Sequence, residues 1–166
     1  MRIQIRTTGP DDHDAVRSVL ERSYPLGLVD HYDATLLKRA LPVLCTPSTE
    51  LLNSRRYYLA ERAGEAVACG GWSVDPPPGV QATGRIAIIR RFAVLPELAG
   101  QDIGRSLFER CLSEIRPYGP ERLLVRASLN AVPFYVRLGF ERLQPIDMPL
   151  PGGGALPCVL MERELA

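Results

Sequence analysis

The stretch Val94-Leu95-Pro96-Glu97-Leu98-Ala99-Gly100-Gln101-Asp102-Ile103-Gly104-Arg105 reads as an apolar strand end, a tight loop and the start of an amphipathic helix. The first amides of a helix have no carbonyl partner, and the helix dipole adds partial positive charge beside them. A turn of this kind therefore suits a phosphate or another anion. Asp102 stands in the middle of it. As an ordinary N-cap its carboxylate would contribute about 1 kcal/mol to the helix and occupy donors that an anion needs. As a free charge it would oppose an anion directly: two unit charges ~4 Å apart repel by about 4 kcal/mol at an effective dielectric near 20. Arg105 is either a partner for Asp102 or a phosphate, or a solvated surface charge.

A second cluster lies one strand later, in Ser128-Leu129-Asn130-Ala131-Val132-Pro133-Phe134-Tyr135-Val136-Arg137-Leu138-Gly139-Phe140. Asn130 can cap the helix that contains Pro133, and Phe134 and Tyr135 can be packing aromatics. Arg90 and Arg91 interrupt an otherwise apolar strand. Simple alternation sends one to each face of the sheet; a functional reading sets one beside an acidic acceptor or a phosphate. Cys45, Cys69, Cys111 and Cys158 are scattered without a C-x-x-C pair, which reads as buried reduced thiols. His13 and His31 have no second ligand at metal spacing, so no metal site is expected.

These residues need elements to hold them. Ile3-Gln4-Ile5 alternates as a short strand, and Gly9-Pro10-Asp11-Asp12 starts a helix to about Tyr24, with Pro25-Leu26-Gly27 as its breaker. A second helix is expected from His31 to Leu41, then an irregular connection from Pro42 to Asn53 that ends in one helical turn. Tyr57 to Glu61 and Ala66 to Ser73 form a hairpin about Arg62-Ala63-Gly64-Glu65. Asp75-Pro76-Pro77-Pro78-Gly79 is a stiff loop, and Ile86 to Val94 a long strand. Ile103, Leu107, Phe108, Cys111, Leu112 and Ile115 recur at helical spacing to about Arg116. Arg122 to Ala127 is a strand and Val132 to Leu138 a helix with Gly139 past its end. Phe140 to Leu143 and Cys158 to Glu162 close the sheet, joined by a flexible loop from Pro149 to Gly154. The order is βααβββαβαββ, an α/β protein with a mixed central sheet flanked by helices.

The two clusters at this spacing resemble the two core motifs of the GCN5-related N-acetyltransferase (GNAT) superfamily, and the element order matches across nearly the whole chain. The resemblance implies a mostly antiparallel sheet and acetyl-CoA as acyl donor. It implies that Phe92, Ala93 and Val94 meet the pantetheine arm through their backbone. The loop from Ala99 to Gly104, with Gly100, Gln101, Asp102, Ile103 and Arg105, meets the pyrophosphate. The family's loop reads Arg/Gln-x-x-Gly-x-Gly/Ala; here Ala99 and Asp102 depart from it, Gly104 conforms, and Gly100 and Gln101 fall at permissive positions. Tyr135 matches the residue that in many relatives donates a proton to the leaving thiolate, and Asn130 one near the cofactor's pantetheine or substrate end.

Some relatives carry a Glu as base where this chain has approximately Ile88, so no base is assigned; His31, Glu61, Asp75 or a water chain remain open. Acceptor selection in the superfamily falls to regions that here carry Tyr24, His31, Tyr32, Tyr57, Trp72 and the Gly152 to Gly154 loop. A small amine, polyamine, peptide N-terminus or lysine all remain open as acceptor. The expected activity is transfer of an acetyl group to a primary amine. The alternative is a weakly active or non-catalytic module that binds a metabolite or protein, because of Ala99 and Asp102.

At 166 residues and a net charge of +1, one domain over 1–166 is expected, with no bulk attraction to nucleic acid or an anionic membrane. Met1-Arg2-Ile3-Gln4-Ile5-Arg6 is too short and charged for a secretory core, and no apolar run reaches the ~18 residues of a membrane helix. The expected location is cytoplasmic, and a homodimer is compatible with the family's shape.

Overall fold

A computed structural model describes residues 2–76, 80 and 84–165. The Pro77 to Gly79 part of the proline loop lies outside the described residues. The chain runs β1 (Ile3–Thr7), α1 (His13–Leu28), α2 (Ala34–Leu44), α3 (Thr49–Asn53), β2 (Tyr57–Arg62), β3 (Glu65–Ser73) and β4 (Ile86–Val94). It continues with α4 (Ile103–Ile115), β5 (Arg122–Ser128), α5 (Val132–Arg137), β6 (Glu141–Pro149) and β7 (Ala155–Glu164). The seven strands form one sheet in the order β1-β2-β3-β4-β5-β7-β6. All neighbours are antiparallel except β4 and β5. The expected mixed sheet, antiparallel for the most part and flanked by helices, is what forms.

Helix α1 does not stop at Pro25 but continues to Leu28. A proline removes one amide and crowds the preceding turn, at a cost of about 3 kcal/mol in a helix interior. Leu28 beyond it is only 1% exposed, and burying a leucine returns roughly 1.5–3 kcal/mol. Tertiary packing therefore carries the last turn through the proline. The start of α2 also moves from His31 to Ala34, because the Asp33 carboxylate accepts from the amides of Thr35 and Leu36. It then runs through Pro42 to Leu44. The strands β6 and β7 are longer than their apolar cores suggested and pair as a hairpin from Glu141↔Glu162 to Pro149↔Ala155. Ala40 of α2 packs with Leu150, Leu156 and Cys158 of this hairpin, so α2 and the late strands are one wall.

The principal core gathers Val16, Val19 and Leu20 of α1, the inner residues of β2 to β5, and Leu107, Phe108, Cys111 and Ile115 of α4. Cys45, Cys69, Cys111 and Cys158 are all buried free thiols. Two departures from regular sheet geometry set up the site. The register of β3 on β4 jumps from Cys69↔Ala93 to Gly71↔Arg90, with one extra residue on β4. Arg91 takes the left-handed conformation there (φ 54°), a β-bulge that bends the strand. A Cβ on Gly70 would lie 2.4 Å from the Phe92 ring, so the missing side chain makes room for it. The second departure is that β4 and β5 pair only from Ile86↔Arg122 to Ile89↔Val125. Beyond Ile89 the two strands part.

Candidate active site

The parting of β4 and β5 opens a cleft. Arg90, Arg91 and Phe92 border one side of it, Arg126, Ala127 and Ser128 the other. Two buried tyrosines hold the bulge from beneath: Tyr57 donates to the Arg91 carbonyl (2.7 Å) and Tyr24 to the Phe92 carbonyl (3.2 Å). Tyr32 ties the far side together, accepting from the Leu129 amide (2.9 Å) and donating to the Pro157 carbonyl (2.6 Å).

Tyr135 borders the same cleft and is 5% exposed. Burial pushes its hydroxyl well above the ordinary tyrosine range, so it keeps its proton at any physiological pH. Its ring meets Phe92 (6.4 Å between centroids), Phe134 (5.0 Å) and Phe140 (5.5 Å) at steep angles. Those are edge-to-face contacts that fix the ring in place.

Phe134, whose ring meets Phe92 (6.3 Å) and Tyr135 (5.0 Å) of the cleft, borders a second hollow with Val94, Ala99, Gly100, Asp102, Gly104 and Arg105. A Cβ on Gly104 would sit 2.9 Å from Phe134 Cε1, so this glycine is required for α4 to approach α5. Phe134 is thus a packing residue, as its type suggests, and also part of the wall of the hollow. The sequence reading missed Arg137, which borders the hollow too. Its place three residues after Phe134 on one helix puts the two on one face.

Asp102 corrects the expectation of an N-cap bond. It occupies the cap position of α4, but its backbone is left-handed (φ 62°) and its side chain accepts no capping bond. That conformation favours glycine and tolerates aspartate, which explains why a glycine suits this place. The first turn of α4 begins with the Ser106 amide on the Asp102 carbonyl (3.0 Å). The amides of Ile103, Gly104 and Arg105 precede it, and the carboxylate takes none of them. The helix start therefore retains its anion-binding donors, and the case against the loop weakens. Gly100 is left-handed as well (φ 81°). Gln101, Asp102 and Arg105 are exposed. Among the described residues Arg105 forms no ion pair with Asp102.

Asn130 is not a cap either, since Ala131 holds that position without a side-chain bond. Its side-chain oxygen accepts from Ser128 Oγ (2.7 Å). A Cβ on Gly27 would lie 3.0 Å from its Nδ2, so Asn130 joins the end of β5 to the end of α1. Arg90 and Arg91 both border the cleft, with Arg91 on the bulge. Arg91 donates to the carbonyls of Leu44 and Thr46 (3.2 and 2.8 Å), and Arg90 to Ser73 Oγ (3.2 Å). Burial, with Arg91 and Arg126 nearby, lowers the Arg90 pKa.

The other candidates fall elsewhere. Glu61 is held by Arg6 (2.7 Å) at the β1 side of the sheet. Asp75 borders a separate hollow with Glu50, and His31 is exposed. Ile88 is buried. Trp72 donates to Tyr58 Oη (3.0 Å) in the core. The late loop is tied to α2 by Arg39, which donates to the carbonyls of Pro151 and Gly153. Among the described residues no group of three His, Cys, Asp or Glu side chains is placed to hold a metal ion. No described helix is long and apolar enough to cross a membrane.

The parted strands, the helix-start loop and the aromatic wall match a known family. Residues 51–147, more than half of the chain, fit the family described as the acetyltransferase (GNAT) domain. The chain belongs to the GNAT acetyltransferase family. As a GNAT protein it is an N-acetyltransferase. The fold is shared with a GCN5-related N-acetyltransferase from Rhodopseudomonas palustris: TM-score 0.80, 18% identity, 99% of this chain and 97% of that one. It is also shared with the PaiA N-acetyltransferase of Thermoplasma acidophilum, solved in complex with coenzyme A: TM-score 0.72, 17% identity, 99% of this chain and 100% of that one. In sequence, an IAA acetyltransferase of Azospirillum brasilense is 29% identical over 113 residues, 66% of this chain and 68% of that protein.

Proposed function

We propose that this GNAT protein transfers the acetyl group of acetyl-CoA to a primary amine, with the reacting atoms at the parting of β4 and β5. The observation that carries this reading is the pair of spaces that flank the aromatic cluster of Phe92, Phe134 and Tyr135. One is bordered by the start of α4, whose first amides the Asp102 side chain leaves unspent, and the other by Tyr135. That pattern suits a long ligand with phosphates at one end and a reactive group at the other. Acetyl-CoA, when bound, supplies an activated acyl group on sulfur.

The amides of Ile103, Gly104 and Arg105 hold the pyrophosphate, helped by the dipole of α4. Gly100 and Gln101 let the loop curl around it, and Arg105 and Arg137 add positive charge at the rim. Along β4 the edge that β5 has left is open from Arg90 onward. There Phe92, Ala93 and Val94 hold the pantetheine arm by backbone hydrogen bonds, as a further strand would. An amide of this edge polarises the acyl carbonyl. Asn130 acts by fixing the end of α1 against the end of β5, where the acceptor enters.

In the reaction the nitrogen–carbon bond forms as the carbon–sulfur bond breaks. The sulfur takes a proton from the Tyr135 hydroxyl, and the proton that the amine loses to water returns to the Tyr135 oxygen, which restores the acid for the next turnover. No carboxylate or imidazole borders the cleft among the described residues. The neighbouring guanidinium groups take over part of the base's task, since positive charge nearby favours the neutral amine over the ammonium.

The test is calorimetric titration of acetyl-CoA, followed by detection of free thiol on adding a panel of primary amines. Saturable binding and amine-dependent thiol release are expected. Failure of acetyl-CoA to bind would overturn the proposal.

A further inference from the structure

Among the described residues the charged side chains that border the cleft are all basic. Arg90, Arg91 and Arg126 border it, and no Asp or Glu does so among the described residues. The rest of its wall is apolar or uncharged, including Leu44, Met148 and Leu156. In a low-dielectric space, three like charges disfavour one another and the field favours an incoming anion. The bulge at Arg91 bends β4 where it leaves β5, and both Arg90 and Arg91 border the cleft there. Arg126 comes from β5, so the charges stand on both sides of the parting.

Their roles differ. Arg91 is committed to the Leu44 and Thr46 carbonyls through one nitrogen, which fixes the end of α2 against β4. The Arg90 side chain donates to a neutral partner, from Nη1 to Ser73 Oγ. A guanidinium has five donors in a planar fork, so one such bond leaves a face able to grip a carboxylate. The acid whose field reaches Arg90 is Glu50, which lies with Asp75 in an adjoining hollow that Arg90 also borders, and not in the cleft. The pyrophosphate does not explain this charge. The loop amides that suit it lie in the other hollow, beyond Phe134.

Resting on the acetyltransfer reading above, we propose that the acceptor is an amine that also carries a carboxylate, and that Arg90 is the residue that selects it. The same positive field excludes diamines and polyamines. The carboxylate anchors the acceptor on the arginine side, while its amine reaches toward the parting of the strands beneath Tyr135.

The experiment compares α-amino acids and ω-amino acids with their carboxamides, and with a diamine, in the thiol-release assay on the full chain. Acetyl-CoA affinity is measured in parallel by calorimetry. In the wild type a carboxylate-bearing amine is expected to exceed its carboxamide in kcat/KM by on the order of ten- to a hundred-fold, the range of one charge-assisted hydrogen bond. Arg90→Gln should erase that preference chiefly by raising KM, with acetyl-CoA affinity unchanged, and Arg90→Lys should restore part of it. Equal or better use of the carboxamide or the diamine, or no turnover of any carboxylate-bearing amine while acetyl-CoA binds, would overturn this proposal alone. Absence of acetyl-CoA binding would overturn the acetyltransfer reading and this one with it.

Discussion

The two ends of the site are built from different materials. The hollow between α4 and α5 relies on backbone: amides at a helix start, left-handed turns at Gly100 and Asp102, and the bare Cα of Gly104 against Phe134. The cleft between β4 and β5 relies on side chains: Tyr135 under burial, and Arg90, Arg91 and Arg126 on its two sides. A backbone site tolerates changes of residue type as long as the conformation survives. That is how Asp102 can replace a glycine, keep the left-handed turn and leave the helix-start amides unspent. A side-chain site tolerates few changes, and for that reason it is where a particular acceptor can be chosen.

Four changes separate the ends, and the largest effect belongs to the cleft. Tyr135→Phe removes the proposed proton donor while leaving the ring that Phe92, Phe134 and Phe140 pack against. Turnover with the best amine should fall by about 10²–10³-fold, within the usual range for a general acid. Acetyl-CoA affinity, measured by calorimetry, should change less than about threefold. Equal losses in both would make Tyr135 a binding residue and erase the division of labour.

Alkaline pH probes the same end through stability. Burial holds the Cys69 thiol up, from 9.0 to about 12, and raises the Tyr24 and Tyr135 hydroxyls above their ordinary 10.0. In the unfolded chain these groups ionise at their ordinary values, so rising pH favours unfolding. Their contribution is full below about pH 9 and is lost as pH climbs toward 12. Thermal scans should show Tm constant from pH 7 to 9 and falling steadily above that. A Tm that stayed level to pH 11 would mean that these groups are open to water.

At the loop end, Gly104→Ala places a methyl group 2.9 Å from the Phe134 ring. Alanine would ordinarily favour a helix by about 1 kcal/mol over glycine. Here the ring must give way, so acetyl-CoA affinity should drop by on the order of ten-fold with little change in amine preference. The smallest effect is a gain. Asp102→Gly suits φ 62° and removes an exposed negative charge from the rim. Affinity for acetyl-CoA should rise by about two- to ten-fold at low ionic strength and less in high salt, since exposed charges are screened. A gain independent of salt would point to backbone preference and not to charge.

The contrast also explains which parts of the molecule could be read from the sequence. Element types follow from local chemistry: Ile103, Leu107, Phe108, Cys111 and Ile115 share a buried face at helical spacing, and Val132 to Arg137 ends against Gly139. The family motifs at Asp102 to Gly104 and at Tyr135 are local too. What could not be read depends on contacts between distant residues. Pro25 looks like a helix breaker until Leu28 is seen to be buried beyond it. Arg90 and Arg91 read on paper as part of a regular strand, whereas the register of β4 on β3 breaks beside them, opposite Gly70. Asp102 has the residue type of an N-cap, but its left-handed backbone leaves the carboxylate without a capping bond. Arg126 gains meaning only when β5 parts from β4 at Val125.

The central claim is that backbone amides at the start of α4 hold the phosphates, while side chains at the cleft do the chemistry. Hydrogen exchange of single amides, followed with and without saturating acetyl-CoA, tests it most directly. The account predicts that Ile103, Gly104 and Arg105, which have no intrahelical carbonyl to protect them, exchange quickly in the free protein and at least about ten-fold more slowly in the complex. Unchanged exchange at these three amides, with acetyl-CoA bound, would contradict it.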